Sequence, residues 1–370
     1  MPLLASNRFD EIRKSLAQEG KIFTAGLELT YRCNFECLHC YCVVGGPRKE
    51  LSTAEILSLL DDLKAAGCLT VTLTGGEAML RPDFFEIAEY AKKLRFVIRL
   101  FTNAFLLDDE LRARRVLALN PISVDISLYG ASEEAYERVT GHRAFAKVTK
   151  AVDFLLSKGQ RMLIKIPLMQ ENYGDLDAMI AFCESRKISF NVDPWMTPKD
   201  DGTMDPKKTQ ISDEQLREFF RRYGNKKKPG KRSVDEPLCT IGRGSVIVGP
   251  YGDVHACVQS KLSVGNIREK PIAEIWENSP LLQKERELKL RDYPECRACE
   301  FRNSCFICSA VSFYENGRFN GFNPHACKVA QTRYELGQIE SEPVLFQILV
   351  PGKDVEAAKP STAQAGVFPG

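Results

Sequence analysis

Short apolar runs alternate with amphipathic segments over the first half of the chain, and this alternation limits the possible fold more than any other feature. The segments between the runs have helical periodicity. The first is a capped helix, with Ser52 and Glu55 as a capping box and Gly67 at its end. Further helices are expected around 83–94, 107–118, 144–158 and 175–186, and buried strands at 24–30, 71–74, 96–101, 122–127, 163–168 and 189–193.

Strands that alternate with helices are typical of a parallel sheet covered by helices. Six such units are fewer than the eight that close a barrel. We therefore predict an α/β fold, a partial (β/α)6 TIM-type barrel over residues 24–200 that follows an N-terminal segment at 1–23. Ligands of such barrels bind at the carboxyl ends of the strands, so the functional side chains should gather there.

Length and charge narrow the possible partners. The 370 residues allow a second domain, and 51 basic against 49 acidic residues give no support to a nucleic-acid partner. We interpret residues 201–238 as a linker that contains a helix starting at Ser212 and a solvated basic stretch, NKKKPGKR. The first twenty residues hold no apolar run suited to a signal peptide or a membrane, which predicts a cytoplasmic protein without a membrane partner. The tail at 336–370 is expected to be partly disordered.

Thirteen cysteines are many for a reducing compartment, where thiolates usually serve as metal ligands or catalysts. Cys33, Cys37 and Cys40 have CxxxCxxC spacing directly after the first strand. Three thiolates on a [4Fe-4S] cube leave one iron open to an outside ligand. A zinc site with His39 or Cys42 as fourth ligand is the alternative, and the position at a barrel mouth favours the cluster.

The pattern Cys33, Cys37, His39 and Cys40 resembles the CxxxCxΦC motif of the radical S-adenosylmethionine (radical SAM) superfamily, in which an aromatic residue precedes the last cysteine. The resemblance implies that S-adenosylmethionine chelates the open iron. It also implies that one electron from the cluster cleaves the cofactor to a 5′-deoxyadenosyl radical, which abstracts hydrogen from the substrate.

Further positions resemble the family's contacts to S-adenosylmethionine. Gly75, Gly76 and Glu77 follow the second strand where the family has its GGE motif, although Ala78 replaces the usual proline. Strand ends supply candidates for the carboxylate and the ribose, and an arginine, Arg138 or Arg143, is a candidate partner for the carboxylate. Together, the cofactor-binding residues predicted from the resemblance are His39, Gly75, Gly76, Glu77, Asn103, Ser127 and Arg138.

Residues 239–335 contain the second cysteine group, a hairpin around 251–253 and a helix near 272–276. The order of these cysteines resembles the SPASM domain of peptide-modifying radical SAM enzymes. One step departs from that pattern, because two residues rather than three separate Cys305 and Cys308. The predicted metal ligands of this domain are Cys239, Cys257, Cys296, Cys299, Cys305, Cys308 and Cys327.

The resemblance implies two auxiliary iron-sulfur clusters. The inner one would be held by Cys239, Cys257 and Cys308, and the outer one by Cys296, Cys299, Cys305 and Cys327. Because the segment after the first of these cysteines is TIGRGS, without the extra cysteine of some family members, we predict an open or non-cysteine fourth position on the inner cluster. Zinc that staples a small domain is the alternative. A structural role is predicted for His255, His325, Cys42, Cys68 and Cys183.

Members of this family with SPASM domains mostly modify peptides or protein side chains, so the resemblance implies a maturase that makes a thioether, a carbon-carbon link or a related oxidative change. Asp193, Trp195 and Lys199 are predicted to line the substrate mouth. A separate leader-recognition protein and a flavodoxin- or ferredoxin-type reductant are the expected partners. The rivals are an enzyme of tetrapyrrole or small-molecule biosynthesis and a non-catalytic electron carrier or zinc-stapled binding module.

Overall fold

The computed structural model describes residues 20–43, 48–224, 233–237, 239, 241–337 and 348–350. Most of the N-terminal segment, the basic stretch of the linker and nearly all of the tail lie outside the described residues. The predictions made for them stay predictions.

One ten-stranded sheet contains all strands of the described residues, in the order β10-β6-β5-β4-β3-β2-β1-β7-β8-β9. Strands β1 to β6 run parallel in sequence order, and the sheet stays open, which confirms the predicted partial barrel. The strands are β1 Thr24–Glu28, β2 Thr70–Thr74, β3 Val97–Thr102, β4 Ser123–Ser127, β5 Met162–Pro167, β6 Ser189–Asp193, β7 Ser245–Val248, β8 Asp253–His255, β9 Gly265–Asn266 and β10 Ile348–Val350.

Eleven α-helices accompany the sheet among the described residues. They are α1 Thr53–Ala65, α2 Phe84–Lys93, α3 Glu110–Ala118, α4 Glu133–Thr140, α5 Phe145–Ser157, α6 Leu176–Ser185, α7 Asp213–Tyr223, α8 Ile272–Asn278, α9 Pro280–Glu287, α10 Ser309–Asn316 and α11 Pro324–Glu335. Short 3-10 helices occur at Ala78–Leu80, Phe105–Asp108, Gln170–Asp175, Asp205–Thr209, Leu290–Asp292 and Arg302–Ser304. No helix among the described residues has the length and apolar character needed to cross a bilayer.

Local sequence explains these elements well. The predicted capping box at the start of α1 is present, and its apolar stripe of Ile56, Leu59, Leu60 and Leu63 is buried against the sheet. Each such side chain contributes about 1.5–3 kcal/mol of hydrophobic stabilisation. A second capping box starts α7 at Ser212, where the sequence predicted the start of a helix.

Long-range pairing adds what local patterns did not predict. β7, from the cysteine-rich half, pairs in parallel with β1 and forms the predicted hairpin with β8, so the barrel sheet continues into the second half of the chain. The domain boundaries themselves stay a prediction. β10 pairs antiparallel with β6, and thus a short part of the tail expected to be partly disordered forms an edge strand.

Candidate active site

The loop with the CxxxCxxC motif follows β1 at the carboxyl edge of the sheet, as predicted. It is pinned to the last turn of α4, where the backbone N–H groups of Glu36 and Leu38 donate to the carbonyls of Thr140 and Val139, both at 3.0 Å. Sequence reasoning missed α4, although Ser132 caps its start and Gly141 ends it in a left-handed conformation. These are ordinary helix-end signals. The missed helix therefore supports the cluster loop directly.

The three thiols of the loop lie close enough to influence one another. Burial raises the pKa of Cys33 and of Cys37, and the neighbouring thiols of the motif add to both shifts. The thiol of Cys42 donates a hydrogen bond to Cys40, which lowers the pKa of Cys40 to about 7. Ionised thiolates are the ligand form, so these groups would be stabilised as anions by a bound cationic cluster.

Two glycines make room for the cluster loop. A side-chain carbon on Gly75 would lie 2.2 Å from the carbonyl oxygen of Thr30, and one on Gly76 would lie 2.4 Å from that of Arg32. In addition, Gly75 has a φ of 133°, which favours glycine. Gly76 and Glu77 donate their N–H groups to the same two carbonyls at 2.8 and 2.9 Å. The Gly-Gly pair thus allows the two loops to pack backbone to backbone.

Glu77 is fully buried and holds the end of β3. Its carboxylate accepts hydrogen bonds from the Thr102 hydroxyl at 2.8 Å, from the Asn103 N–H at 2.9 Å and from the Met79 N–H at 3.3 Å. Burial raises the pKa of Glu77, and these donors oppose the shift. The side-chain amide of Asn103 in turn donates to Asn34 at 2.9 Å and to the sulfur of Cys33 at 3.8 Å. The predicted residues Gly75, Gly76, Glu77 and Asn103 therefore meet the cluster loop.

The other residues predicted to contact S-adenosylmethionine have different surroundings. His39 is half-buried beside Tyr129, with ring centroids 5.4 Å apart, and the loss of solvent lowers the pKa of His39 to about 4. Ser127 forms a hydrogen bond with the Tyr129 hydroxyl. Arg138 binds Asp175 at 2.7 Å. The alternative arginine, Arg143, is paired with Glu134 and Glu137. The roles of His39, Ser127 and Arg138 toward S-adenosylmethionine stay predictions.

Along the central strands of the barrel, charged side chains on the concave face alternate with apolar side chains that point outward. Asp125 on β4 is fully buried; Arg99 binds it through two hydrogen bonds, at 2.6 and 3.1 Å, and Lys165 approaches it to 3.3 Å. Asp193 at the end of β6 accepts the N–H of Trp195 at 2.9 Å, and burial raises the pKa of Asp193 to about 7. These groups form the polar floor beneath the barrel mouth.

Trp195 and Lys199, which were predicted to line the substrate mouth, have different surroundings. The ring of Trp195 is buried against Val311 and Ala326 and packs beside Cys305 and Cys308, so it contacts the cysteine-rich half. Lys199 starts a turn closed by its N–H bond to the Thr203 carbonyl at 2.9 Å. The charge of Lys199 contributes to lowering the pKa of Cys40.

The second cysteine group divides in space into two sets. Burial raises the pKa of Cys308 to about 12, and the thiols of Cys257 and Cys239 raise it further. In the same way burial raises the pKa of Cys296 to about 11, and the thiols of Cys327 and Cys299 raise it further. Cys308, Cys257 and Cys239 therefore lie near one another, as do Cys296, Cys327 and Cys299, and the binding of a cluster by each set stays a prediction.

Cys305 joins the outer set through packing, since it lies against the small core that contains Cys296. Soft thiolates are the ligands that iron-sulfur clusters take, and a cube distributes them over separate irons. The donor sets therefore fit clusters, while the assignment of each ligand stays a prediction.

A buried ion pair joins the two halves of the protein, and sequence reasoning missed it. Lys261 places its Nζ atom 2.5 and 2.6 Å from the carboxylate oxygens of Glu28, at the end of β1, with side-chain exposures of 3% and 0%. Tyr31 donates to Glu28 at 3.0 Å, and Asp200 lies 3.9 Å from Lys261. The only local signal was an acidic residue in the apolar run of β1.

Comparison with known proteins agrees with this geometry. Residues 27–183 match the radical SAM superfamily, and residues 239–300 match an iron-sulfur cluster-binding domain, SPASM. The mycofactocin maturase MftC of Mycobacterium ulcerans is 27% identical over 321 residues, which are 80% of this chain and 85% of that protein. The AdoMet-dependent heme synthase of Methanosarcina barkeri is 25% identical over 335 residues, 80% of this chain and 94% of that protein.

A solved structure shares the fold. Streptococcus suis SuiB bound to the precursor peptide SuiA superposes with a TM-score of 0.66 at 17% identity, over 86% of this chain and 80% of that one. An open barrel with a three-thiol loop at its mouth and a second cysteine-rich half defines an iron-sulfur enzyme. Through residues 27–183 the chain belongs to the radical SAM superfamily, and residues 239–300 are a SPASM domain, so it is an enzyme of [4Fe-4S] clusters and S-adenosylmethionine.

Proposed function

We propose that this enzyme oxidatively modifies a peptide or protein substrate, forming a thioether, a carbon-carbon crosslink or a related linkage. The observation that carries the proposal is the joining of both cysteine groups into one body, through the β1–β7 pairing and the Lys261–Glu28 contact. When bound, S-adenosylmethionine on the first cluster supplies a radical that abstracts hydrogen, and an auxiliary cluster can accept the electron left behind.

The relatives support a peptide substrate. MftC is named a maturase, a relative from Gluconobacter oxydans is named PqqA peptide cyclase, and SuiB was solved with its precursor peptide. For this chain we infer a ribosomally made peptide, presented by a separate leader-recognition protein. We further infer a flavodoxin- or ferredoxin-type reductant, because low-potential clusters need such an electron donor. The thirteen cysteines, which form no disulfide among the described residues, favour the cytoplasm.

The roles proposed for individual residues follow the geometry. Cys33, Cys37 and Cys40 would hold the first cluster, with the Gly75–Gly76–Glu77 loop and Asn103 against it. Within this arrangement Glu77 orients the end of β3, and Asn103 donates toward the sulfur of Cys33. His39, Ser127 and Arg138 are proposed to complete the cofactor site.

Haem biosynthesis is the second candidate, favoured by the similarity to the heme synthase of Methanosarcina barkeri. Both candidates can be tested in one experiment. The anaerobically reconstituted enzyme is incubated with S-adenosylmethionine, a reductant and each short peptide encoded near its gene, and in parallel with tetrapyrrole precursors. We expect one peptide to lose hydrogen atoms in its mass spectrum, with the new bond located by fragmentation. Conversion of a tetrapyrrole with every peptide unchanged would contradict the proposal.

A further inference from the structure

Helix α9 lies between the two segments that carry the first two cysteines of the inner set. The guanidinium of Arg286 donates to the carbonyl of Gly242 at 2.7 Å, and Arg243 donates back to the carbonyl of Arg286 at 2.6 Å. Gly242 packs so closely on α9 that a side-chain carbon there would lie 2.7 Å from Leu282. The segment that lacks the extra cysteine is thus covered by this helix.

Glu285 projects from α9 toward the turn that carries Cys257. This turn is closed by the bond from the Ser260 N–H to the Cys257 carbonyl at 3.1 Å, and the hydroxyl of Ser260 donates to Oε1 of Glu285 at 2.8 Å. The carboxylate is close enough to Cys257 to add to burial in raising the pKa of that thiol. Glu285 is therefore a neighbour of the inner cysteine set.

The second oxygen of this carboxylate has no protein partner. Glu285 is only 1% exposed, and its Oε2 atom is buried without a hydrogen bond. An interior carboxylate oxygen is costly to leave unpaired, and charged groups in protein interiors are normally paired or bound to a metal. The same burial keeps Glu285 out of reach of a substrate, so a role as a base toward substrate is disfavoured.

We propose that Glu285 is the fourth protein ligand of the inner auxiliary cluster, through Oε2. Three thiolates leave one iron of a [4Fe-4S] cube without a protein ligand, and a carboxylate oxygen is a competent ligand for iron. The inference requires only that the SPASM domain binds its clusters, and it holds whatever the substrate is. Ser260 is then a positioning residue, because its hydroxyl orients the other carboxylate oxygen.

The test uses the full-length, anaerobically reconstituted protein with excess S-adenosylmethionine, which occupies the open iron of the first cluster. The probe is ¹³C-labelled cyanide, detected by its hyperfine coupling to the reduced clusters in electron paramagnetic resonance. Glu285→Gln keeps the size of the side chain and its hydrogen bond to Ser260, and Glu285→Ala removes both. Glu287→Gln, an exposed glutamate of the same helix, is the matched control.

We expect no cyanide coupling at an auxiliary cluster in the wild type or in Glu287→Gln, and clear coupling in both Glu285 variants. Loss of an anionic ligand should also raise the reduction potential of one auxiliary cluster. Glu285→Cys, which supplies a fourth thiolate, should again exclude cyanide. The proposal is overturned if the wild type already binds cyanide at an auxiliary cluster. It is equally overturned if Glu285→Gln retains the wild-type potential and excludes cyanide.

Discussion

Replacing Lys261 by methionine should destabilise the contact between the barrel and the cysteine-rich half. The substitution keeps a long apolar side chain but removes the cation that lies 2.5 Å from Glu28. Both side chains are buried, with exposures of 3% and 0%, so water cannot solvate the Glu28 carboxylate that remains after the substitution. Asp200, 3.9 Å from the same nitrogen, loses its counter-charge as well.

Breaking a buried ion pair from one side costs about 3–5 kcal/mol, because the remaining charge stays in the interior without compensation. Tyr31 still donates to Glu28 at 3.0 Å, which places the expected loss at the lower end, about 3 kcal/mol. In the double variant Lys261→Met/Glu28→Gln no charge is stranded on Glu28, and the glutamine oxygen can still accept from Tyr31. Burial raises the pKa of Asp200 to about 7, so that carboxyl group can take up a proton once the Lys261 and Glu28 charges are gone. That variant should lie within about 1.5 kcal/mol of the wild type.

Hydrogen exchange measured by mass spectrometry is the suitable assay, since a protein of this size with bound clusters need not unfold in two states. The opening free energy of amides in β1 should fall in Lys261→Met and recover in the double variant. Lys270→Met is the control, because Lys270 pairs with Glu274 at the surface and should change stability by less than about 0.5 kcal/mol. If Lys261→Met changes exchange in β1 no more than this control, the reasoning is refuted.

Three further predictions concern the site itself. Gly76→Ala should abolish most formation of 5′-deoxyadenosine while the auxiliary iron is retained, because its new carbon would lie 2.4 Å from the Arg32 carbonyl; product assays and iron analysis check this. Trp195→Ala should lower the iron bound per chain, because the cavity it opens beside both auxiliary cysteine sets destabilises the folded state by about 3–5 kcal/mol. Trp195→Phe should retain the iron. Asp193→Asn should raise the unfolding midpoint more at pH 8 than at pH 5. Burial raises the pKa of Asp193 from 3.8 to about 7. Between these two pH values the folded state therefore binds more protons than the unfolded state, and the stability of the wild type falls as the pH rises from about 4 to about 7. The asparagine variant lacks this loss.

Much of the barrel could be predicted from sequence because its signals are local. All six parallel strands are where the apolar runs predicted them, and both capped helices start at the predicted serines, Ser52 and Ser212. The short helix α4 was missed because its apolar stripe is brief, although its cap and its terminal glycine were readable. Local periodicity thus accounts for the elements but not for their partners.

Contacts between distant segments could not be predicted in this way. The parallel pairing of β1 with β7 joins residues more than two hundred positions apart, and nothing in either strand specifies the other. The position of Lys261 has the same character, since a lysine in a loop is normally solvated and its burial depends on the distant carboxylates of Glu28 and Asp200. The placement of Trp195 against the cysteine-rich half also depends on tertiary packing.

The central claim is that the loop with Cys33, Cys37 and Cys40 holds a cluster whose open iron binds and cleaves S-adenosylmethionine. The most direct measurement is the amount of 5′-deoxyadenosine formed under reducing, anaerobic conditions by the wild type and by a variant with all three cysteines changed to alanine. We predict formation by the wild type and none by the variant, with the iron of the auxiliary clusters retained. Undiminished 5′-deoxyadenosine from the variant would contradict the claim.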